Sequence, residues 1–432
     1  MSALAWIAVV IFVVAYVLIA TEKINRVAVA LGGAALMLAL GATDARHAFF
    51  SEDAGIDWNV IFLLMGMMLI VGVLKRTGLF EYVAIWSAKK ARGRPFPIMV
   101  LFIVVTGLVS AALDNVTTVL LVAPVTLLVC DRLAVPPVPF LIAEVLASNI
   151  GGTATLVGDP PNIIIASRSG LTFNAFLSVL APFVLLVLVV LVLLSRIMFR
   201  RAFRYDAERV ERIMALREAD AIRDRRLVVI SLAVLAAVLA AFGLHTVIGL
   251  EPSVVALLGG LLLLALSRLD AGEVAKEVEW PTLIFFAGLF VMVGALVATG
   301  VIDTLARQAT SAVEGKLWPA TLLLLWASAA LSAIVDNIPY VATMSPIVAD
   351  LVNAAGGTDR GQMLWWALAI GADLGGNATA VGASANVVVL GIADRAGHRI
   401  SFWGFTRYGL IVTAISVALA VPYLWLRFFA FS

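Results

Sequence analysis

The chain has 432 residues, of which 62% are hydrophobic and only 13% are charged, and its formal net charge is +2. A water-soluble domain needs a polar shell and averages about a quarter charged residues, so this composition excludes a soluble enzyme and predicts an integral membrane protein. The small net charge argues against a nucleic-acid partner. The single cysteine, Cys130, excludes an internal disulfide and a multi-thiolate metal site.

Apolar runs follow one another along the whole chain, and most of them approach the roughly 20 residues that a bilayer-crossing helix needs. They lie near 3–20, 27–40, 58–74, 98–130, 139–166, 175–195, 227–243, 253–267, 281–298, 319–350, 361–391 and 408–426. The first run lacks a basic leader and a cleavage site, so we interpret it as the first span. Runs of about 30 residues are too long for one straight span and too short for two. We therefore predict re-entrant hairpins at 98–130 and 319–350, and broken helices at 139–166 and 361–391.

The segment 196–226 holds ten arginines and six acidic residues and is interpreted as an amphipathic connector; a plain solvated linker is the alternative. Placing it in the cytoplasm puts 24 of the 30 lysines and arginines on that side. Such an excess is typical of cytoplasmic loops. It favours ten spans plus two re-entrant hairpins, with both termini outside.

The two halves of the chain repeat each other. A shift of 222 residues places Asp57 on Glu279, and the further pairs are Gly66 with Gly288, Gly72 with Gly294, Asp114-Asn115 with Asp336-Asn337, and Pro124 with Pro346. A shift of 224 then aligns 151–155 with 375–379. Each repeat has an odd number of crossings, so the copies should be inverted, and inverted repeats with interrupted helices are typical of secondary transporters.

The repeat defines the predicted domains. Repeat one is 1–200, with scaffold helices at 1–95, a hairpin and broken helix at 98–166 and a last span at 175–195. The cytoplasmic amphipathic linker is 196–226. Repeat two is 227–432, with scaffold helices at 227–298, a hairpin and broken helix at 319–391 and a last span at 408–426.

Polar residues interrupt the apolar runs at matching places in the two repeats. We predict a substrate or ion site made of Asp114, Asn115, Thr117, Thr118, Asn149, Gly151, Gly152, Thr153, Thr155, Asp159, Asn162, Asp336, Asn337, Asp373, Gly376, Asn377, Thr379, Ser384 and Asn386. Glycines and prolines break helices there, and the freed backbone groups and half-helix ends can bind ions. An intramembrane carboxylate is by default a functional hypothesis.

No lysine or arginine interrupts these clusters, so four aspartates should converge without a positive partner. Unpaired carboxylates either bind cations or hold protons. We therefore predict coupling to Na⁺ or H⁺, with no cofactor and no metal beyond a transported Na⁺. The candidates for proton coupling are Asp114, Glu144, Asp159, Asp336 and Asp373.

Plainer roles remain open at these positions. Asp114 and Asp336 could cap the following half-helices, and capping can coexist with ion binding. Asp159 could be a turn residue before its proline pair. Asn149, Thr153, Asn377 and Thr379 could be helix-packing groups. Glu144 could lie at the cytoplasmic mouth rather than in the site.

The motifs that carry these residues resemble those of a known group. They are Leu113–Thr118, Asn149–Gly152, Gly158–Asn162, Asp336–Pro339, Leu374–Asn377 and Gly382–Asn386. They are similar to the P-protein/arsenite-permease group of the ion transporter superfamily over nearly the whole chain. More distantly, they resemble sodium/proton antiporters and dicarboxylate/sodium symporters. The resemblance implies an elevator-type carrier, usually a dimer, with a scaffold and a moving transport domain.

These observations favour an all-α polytopic secondary transporter in the cell membrane, surrounded by the lipid bilayer. It would move a small ion or oxyacid driven by H⁺ or Na⁺. The carboxylate-rich, arginine-free centre favours cation/proton exchange, with arsenite or antimonite efflux and di- or tricarboxylate uptake as alternatives. A separate ATPase subunit stays open. An ion channel or an intramembrane hydrolase fits two symmetric copies of each motif poorly.

Overall fold

A computed structural model describes residues 2–21, 23–51, 54–203, 214, 217–313, 316–358 and 360–430. These residues form helices, turns and loops, without any strand. The α-helices are α1 (Ala3–Ala20), α2 (Arg26–Ala39), α3 (Ala45–Phe50), α4 (Trp58–Lys75), α5 (Leu79–Lys90), α6 (Pro95–Ala112), α7 (Asn115–Leu133), α8 (Val138–Gly152), α9 (Pro160–Ser169), α10 (Phe173–Met198), α11 (Arg225–Ile248), α12 (Pro252–Ser267), α13 (Ala271–Ala275), α14 (Trp280–Ala298), α15 (Val301–Val313), α16 (Leu317–Ser332), α17 (Asn337–Ala354), α18 (Met363–Gly375), α19 (Ser384–Arg395) and α20 (Phe402–Trp425).

Eight helices within the described residues are long and apolar enough to cross a bilayer: α1, α4, α6, α7, α10, α11, α14 and α20, the last continuing to Ala430. The apolar helices α2, α8, α12, α16 and α18 are shorter. The 14 residues of α2 rise only about 21 Å at 1.5 Å per residue. Helix length alone therefore gives eight candidate spans, two of which, α6 and α7, form the hairpin that the sequence predicts to be re-entrant. The predicted ten spans instead include the shorter helices α2, α8, α12 and α18.

Short polar side chains set where several of these helices begin. The side chains of Thr172, Asp224 and Ser401 accept hydrogen bonds from backbone N–H groups in the first turns of α10, α11 and α20. These bonds satisfy donors that have no partner within the helix. The helices that follow are apolar, and α10 exposes a stripe at i, i+4 spacing formed by Leu185, Val189, Leu193 and Ile197. Such a stripe is suited to lipid rather than water.

Each of the four long apolar runs divides into two helices. The hairpin predicted at 98–130 is α6 and α7, which are separated by Leu113 and Asp114. The one predicted at 319–350 is α16 and α17. The predicted broken helices are the pairs α8 and α9, and α18 and α19, and the chain between the members of each pair is not helical over most of its length. The chain therefore breaks where polar residues interrupt the runs.

One group of helices packs through close contacts between the two halves. Helix α4 packs on α12, and α2 packs on α14. A Cβ atom on Gly66 would lie 2.4 Å from the backbone of Ala256, and one on Gly288 would lie 2.9 Å from the backbone of Ala30. Each pair of helices thus needs a glycine where the backbones meet. The two glycines are matched by the 222-residue shift.

A second group contains the hairpins and broken helices. Helix α6 packs on α8, and α16 packs on α18. Across the halves, α9 packs on α17, and α7 packs on α19. The interrupted ends of all four long runs therefore meet in one place.

Part of the predicted connector 196–226 docks on α5. The Lys89 ammonium lies 2.5 Å from the Glu218 carboxylate, and the Arg223 guanidinium lies 3.3 Å from that of Glu81. The Arg223 backbone N–H donates to the Thr77 carbonyl at 3.0 Å. Residues 204–213 and 215–216 of the connector lie outside the described residues.

Candidate functional site

The carboxylate of Asp159 lies where the two hairpins meet. Asp159 immediately precedes α9 and is 1% exposed. Its Oδ2 accepts a hydrogen bond of 2.9 Å from Nδ2 of Asn115, the first residue of α7. Nδ2 of Asn337, the first residue of α17, lies 3.4 Å from Oδ1 and 3.3 Å from Oδ2. One carboxylate thus receives amide groups from both halves of the chain.

The carboxylate of Asp373, on α18, is fully buried beside this point. It is 0% exposed, and neither of its oxygens has a partner in hydrogen-bond geometry. The Thr153 hydroxyl and the Asn162 amide lie close enough to bear on its charge. The charges of Asp373, Asp336 and Asp114 all act on Asp159. The structure therefore brings the four predicted aspartates into one cluster.

Asparagines join the two halves within the cluster. Nδ2 of Asn149 donates to Oδ1 of Asn377 at 2.9 Å and to Oδ1 of Asn386 at 3.0 Å. Nδ2 of Asn115 lies 3.1 Å from Oδ1 of Asn149. The Nδ2 of Asn377 is buried without a partner. These contacts bond the two halves directly.

The first hairpin tip is capped by Asp114. Its Oδ1 accepts from the backbone N–H of Thr117 at 2.8 Å, and its Oδ2 accepts from the Thr117 hydroxyl at 2.5 Å. The Thr118 hydroxyl donates to the Asp114 carbonyl at 2.9 Å. The capping role that the sequence left open is therefore present here, and ion binding by these residues stays a prediction.

The second tip is capped by Asp336 in a different way. Its Oδ1 accepts from the backbone N–H of Ile338 at 3.1 Å. Its Oδ2 accepts from the hydroxyl of Ser384, the first residue of α19, at 2.5 Å. The second tip is thus tied to its broken helix, whereas the first is tied to its own helix.

The two broken segments are held by matching hydrogen bonds. The Thr155 hydroxyl donates to the Ala111 carbonyl at 2.6 Å, and the Thr379 hydroxyl donates to the Ala333 carbonyl at 2.5 Å. Asn162 and Asn386 donate to the carbonyls of Thr155 and Thr379, at 3.0 and 2.8 Å. The Thr153 hydroxyl closes its own helix by donating to the Asn149 carbonyl at 3.0 Å. Much of the predicted polar set thus fixes the unwound backbone.

Glycines let the broken helices approach the hairpins. A Cβ atom on Gly151 would lie 2.2 Å from the Gly107 carbonyl oxygen, and one on Gly375 would lie 2.6 Å from the Ala329 carbonyl oxygen. The next glycines, Gly152 and Gly376, approach the carbonyl oxygens of Gly158 and Gly382. Any side chain at these positions would push the unwound segments out of place.

Glu144 lies apart from the aspartate cluster. It is 2% exposed on α8, and its Oε1 accepts from the Thr126 hydroxyl of α7 at 2.5 Å. Its Oε2 is buried without a partner. The buried Cys130 lies within reach of its charge. Glu144 is therefore enclosed between α7 and α8, and its place at the cytoplasmic mouth or in the site stays a prediction.

The expectation of an arginine-free centre is wrong. Nη1 of Arg26, the first residue of α2, donates to Oγ of Ser384 at 2.8 Å and lies 4.0 Å from Oδ2 of Asp336. Arg26 was counted among the 24 lysines and arginines of the cytoplasmic side. Helix α2 instead packs beside the second tip, so a residue 310 positions from Asp336 in sequence reaches it.

Three further polar residues near the site were not predicted. The Ser110 hydroxyl donates to the Ser148 carbonyl at 2.7 Å, and the Ser332 hydroxyl donates to the Ala372 carbonyl at 2.6 Å. The 222-residue shift pairs the two donors, so the repeat could have revealed them. Glu279, which precedes α14, feels the charge of Asp114. No pattern along the chain signalled that proximity.

Two cavities adjoin the broken helices. One of about 20 Å³ lies between Arg26, Asp114, Glu279 and Ser384. The other, of about 430 Å³, is lined by residues of α4, α9, the end of α11 and the loop that follows it, including His245 and Glu251. The first has room for about one water-sized species, and the second could admit a small organic molecule.

The sequence profile of the CitMHS family, described as "Citrate transporter", matches residues 16–371. The chain belongs to this family. CitMHS members are transporters, so this protein is a multi-pass membrane transporter rather than an enzyme. The predicted membership of the ion transporter superfamily is confirmed by this match and by similarity to the P protein.

The CitMHS relatives include close and distant proteins. An uncharacterized transporter of Mycobacterium tuberculosis is 58% identical over 98% of both chains. A 46 kDa membrane protein of Mycobacterium leprae is 55% identical over 99% of both. The human P protein is 33% identical over 95% of this chain, but the match covers only 58% of the P protein. The crystal structure of the Alcanivorax borkumensis YdaH transporter shares the fold, with a TM-score of 0.64 over 99% of both chains at 16% identity.

Proposed function

We propose that this CitMHS member is a cation-coupled secondary transporter whose coupling site contains Asp159 and Asp373. The observation that carries the proposal is the fully buried Asp373. None of the described residues bonds to its carboxylate oxygens in hydrogen-bond geometry, although the Thr153 hydroxyl and the Asn162 amide lie nearby. A buried charge without a partner is strongly unfavourable. A proton or a Na⁺ ion would neutralise it, and its entry and exit would link the gradient to the transport cycle.

The packing of the helices supports an elevator mechanism. Helices α2, α4, α12 and α14 pack on one another, and the hairpins and broken helices pack among themselves. In the proposed mechanism the second group moves past the first and carries the site across the bilayer. The hydrogen bonds of Thr155 and Thr379 to matching carbonyls support the interpretation that the two halves are structural repeats.

Cation/proton exchange is the preferred activity. The cluster of buried aspartates and asparagines around Asp159 is rich in carboxylate and amide oxygens, which are ligands for hard cations. The remaining predicted site residues serve this cluster either as ligands or by fixing the unwound backbone. The same proposal includes inverted repeats, ten spans and a cytoplasmic connector. It also places the protein in the cell membrane as a homodimer.

Uptake of a di- or tricarboxylate is the second candidate. The description of the family as citrate transporters favours it, and Arg26 supplies a guanidinium of the kind that binds carboxylates. Arsenite efflux lacks comparable support, because the one cysteine is buried against Glu144 and cannot form a trithiolate site.

Proteoliposomes with an internal pH dye would test the proposal. We expect an imposed Na⁺ gradient to drive proton movement in the wild type and not in Asp373→Asn. Flux driven by citrate or succinate but not by Na⁺ would replace the preferred activity with carboxylate transport. Flux with none of these solutes would contradict both candidates.

A further inference from the structure

The partly exposed Arg26 guanidinium lies beside a hydroxyl and a carboxylate at the second hairpin tip. It donates to the Ser384 hydroxyl at 2.8 Å and lies 4.0 Å from the Asp336 carboxylate. The hydroxyl in turn donates to that carboxylate at 2.5 Å. The ring of Phe285, on α14, lies on another side, with its centroid 5.3 Å from the guanidinium carbon. A positive side chain therefore fills a position that a small cation could occupy.

The contact joins the two proposed bodies. Arg26 begins α2, which packs on α14 in the proposed scaffold. Asp336 immediately precedes α17, and Ser384 is the first residue of α19. Both helices belong to the proposed moving unit. Movement of that unit past the scaffold must break both contacts. The ion pair is therefore tied to one position of the cycle.

Among the residues that the structure describes, the first tip has no equivalent of this arrangement. The 222- and 224-residue shifts place Asp114 on Asp336 and Pro160 on Ser384. Helix α12, which packs on α4 as α2 packs on α14, begins with Pro252 instead of an arginine. Neither proline can supply the hydroxyl or the charge, and Asp114 bonds to its own helix. Within the described part of the chain, the contact of an arginine with the hairpin tip is thus present in the second repeat and not in the first.

The neighbouring cavity gives a competitor access to Ser384, one of the two groups that Arg26 faces. It measures about 20 Å³ and is bordered by Arg26, Asp114, Glu279 and Ser384. A cation of water size in this cavity would be attracted by three carboxylates, those of Asp114, Glu279 and Asp336. It would also repel the guanidinium.

We propose that Arg26 is a tethered counter-ion that competes with the coupling cation for Asp336 and Ser384, and so holds the moving unit on the scaffold until the cation arrives. This inference rests on the proposed cation coupling. In the empty carrier the guanidinium neutralises the tip and anchors it. When the cation binds, the guanidinium is displaced and the moving unit is released.

The test compares Arg26→Gln with Lys23→Gln, which removes an exposed charge from the same connection between α1 and α2. Hydrogen–deuterium exchange of residues 384–388 is measured at fixed pH in N-methylglucamine and in Na⁺ buffers. We expect Arg26→Gln to exchange faster than wild type without Na⁺. We expect Lys23→Gln to match wild type.

Proteoliposome flux gives the second readout. Removing the competitor should lower the half-saturating Na⁺ concentration about tenfold, within the usual range of coupling between two groups. Arg26→Lys should stay near wild type, because it keeps the charge. An unchanged or raised half-saturating concentration in Arg26→Gln would overturn the competition. Loss of citrate flux with unchanged Na⁺ dependence would also overturn it, and would make Arg26 a substrate ligand.

The two readouts separate the inference from the proposed function. If Na⁺ drives no flux in the wild type, the proposed coupling to Na⁺ fails, and the competition fails with it. The exchange comparison still decides whether Arg26 anchors the tip. If Na⁺ drives flux and Arg26→Gln behaves as wild type in both assays, only the role of Arg26 is overturned.

Discussion

In the proposed mechanism, the buried carboxylate of Asp373 is neutralised by a proton or cation that enters and leaves during the cycle. Its carboxylate is fully buried and receives no hydrogen bond in the structure. We predict that Asp373→Asn lowers ion-driven flux roughly tenfold or more, since about 1.4 kcal/mol of lost binding free energy already gives a factor of about ten. The neutral amide removes a buried charge, so the melting temperature should stay equal or rise.

The matched control is Asp394→Asn, which changes an exposed aspartate near the end of α19. It should leave both flux and melting temperature unchanged. Wild-type flux in Asp373→Asn would remove Asp373 from the coupling site. Loss of flux accompanied by a lower melting temperature would indicate a structural role instead.

The polar positions of the site were largely predictable because hydrophilic residues are conspicuous in apolar runs. Asp114, Asp159, Asp336 and Asp373 were all identified in this way, and the structure gathers them. Arg26 was not identified, because an arginine after a polar segment looks like an ordinary loop residue. Its role depends on which helices pack together, and that information is not local in the sequence.

Helix packing depends on glycines at the points where backbones touch. A Cβ atom on Gly151 would lie 2.2 Å from the Gly107 carbonyl oxygen, whereas Gly32 of α2 has open space around it. We predict that Gly151→Ala destabilises the protein by about 1–3 kcal/mol, the usual cost of overpacking. Gly32→Ala should be neutral or stabilising by up to about 1 kcal/mol, because alanine favours helices. Thermal melting in detergent would compare them, and equal melting temperatures would contradict the contact.

The docking of the connector on α5 should depend on pH. The hydrogen bond and charge of Lys89 lower the pKa of Glu218 below its ordinary value of 4.5. A carboxylate whose pKa is lowered on docking stabilises the docked form above its ordinary pKa, and that contribution is lost as the pH falls through the lowered value. We predict that the connector is best protected at pH 7 and is partly released as the pH falls below 4.5, since an exposed ion pair contributes only part of the docking.

Protease cleavage near Arg217 and Arg223 would measure this release, with an acid-active protease at low pH and trypsin at pH 7. Glu218→Gln should reproduce the release at pH 7. Asp131→Asn, an exposed change at the end of α7, is the control. Cleavage of Glu218→Gln at the wild-type rate would contradict a role for the ion pair.

The positions of the helices were well predicted, because apolar runs and polar breaks mark them directly. Helices α6 and α7 lie where the hairpin 98–130 was expected. The number of spans was harder to obtain, since α2 and α12 are too short to be counted by length. Whether such a helix crosses the bilayer depends on its neighbours and on local membrane thickness, which the sequence does not encode locally.

At the scale of the whole molecule, the excess of basic residues predicts the orientation in the membrane. Arg132 should face the cytoplasm and Arg46 the outside, and both are exposed. In a Cys130→Ser background, an impermeant thiol reagent added outside should label Arg46→Cys and leave Arg132→Cys unlabelled until the membrane is opened. Protein with Cys130 alone should resist labelling, because that residue is 1% exposed. Labelling of both variants from one side would contradict the ten-span arrangement.

The bonds of Asn149 also have a consequence for biogenesis. Its acceptor on Asn386 is translated 237 residues later. The first hairpin and broken helix therefore leave the ribosome before the Asn149 amide has its two acceptors and before the Asn337 amide reaches Asp159. Until the second half arrives, water or insertion chaperones must cover these groups. A chain released after the first half would thus be a membrane intermediate that is exposed to quality-control proteases. Burial of the polar centre would distinguish the completed protein from that intermediate.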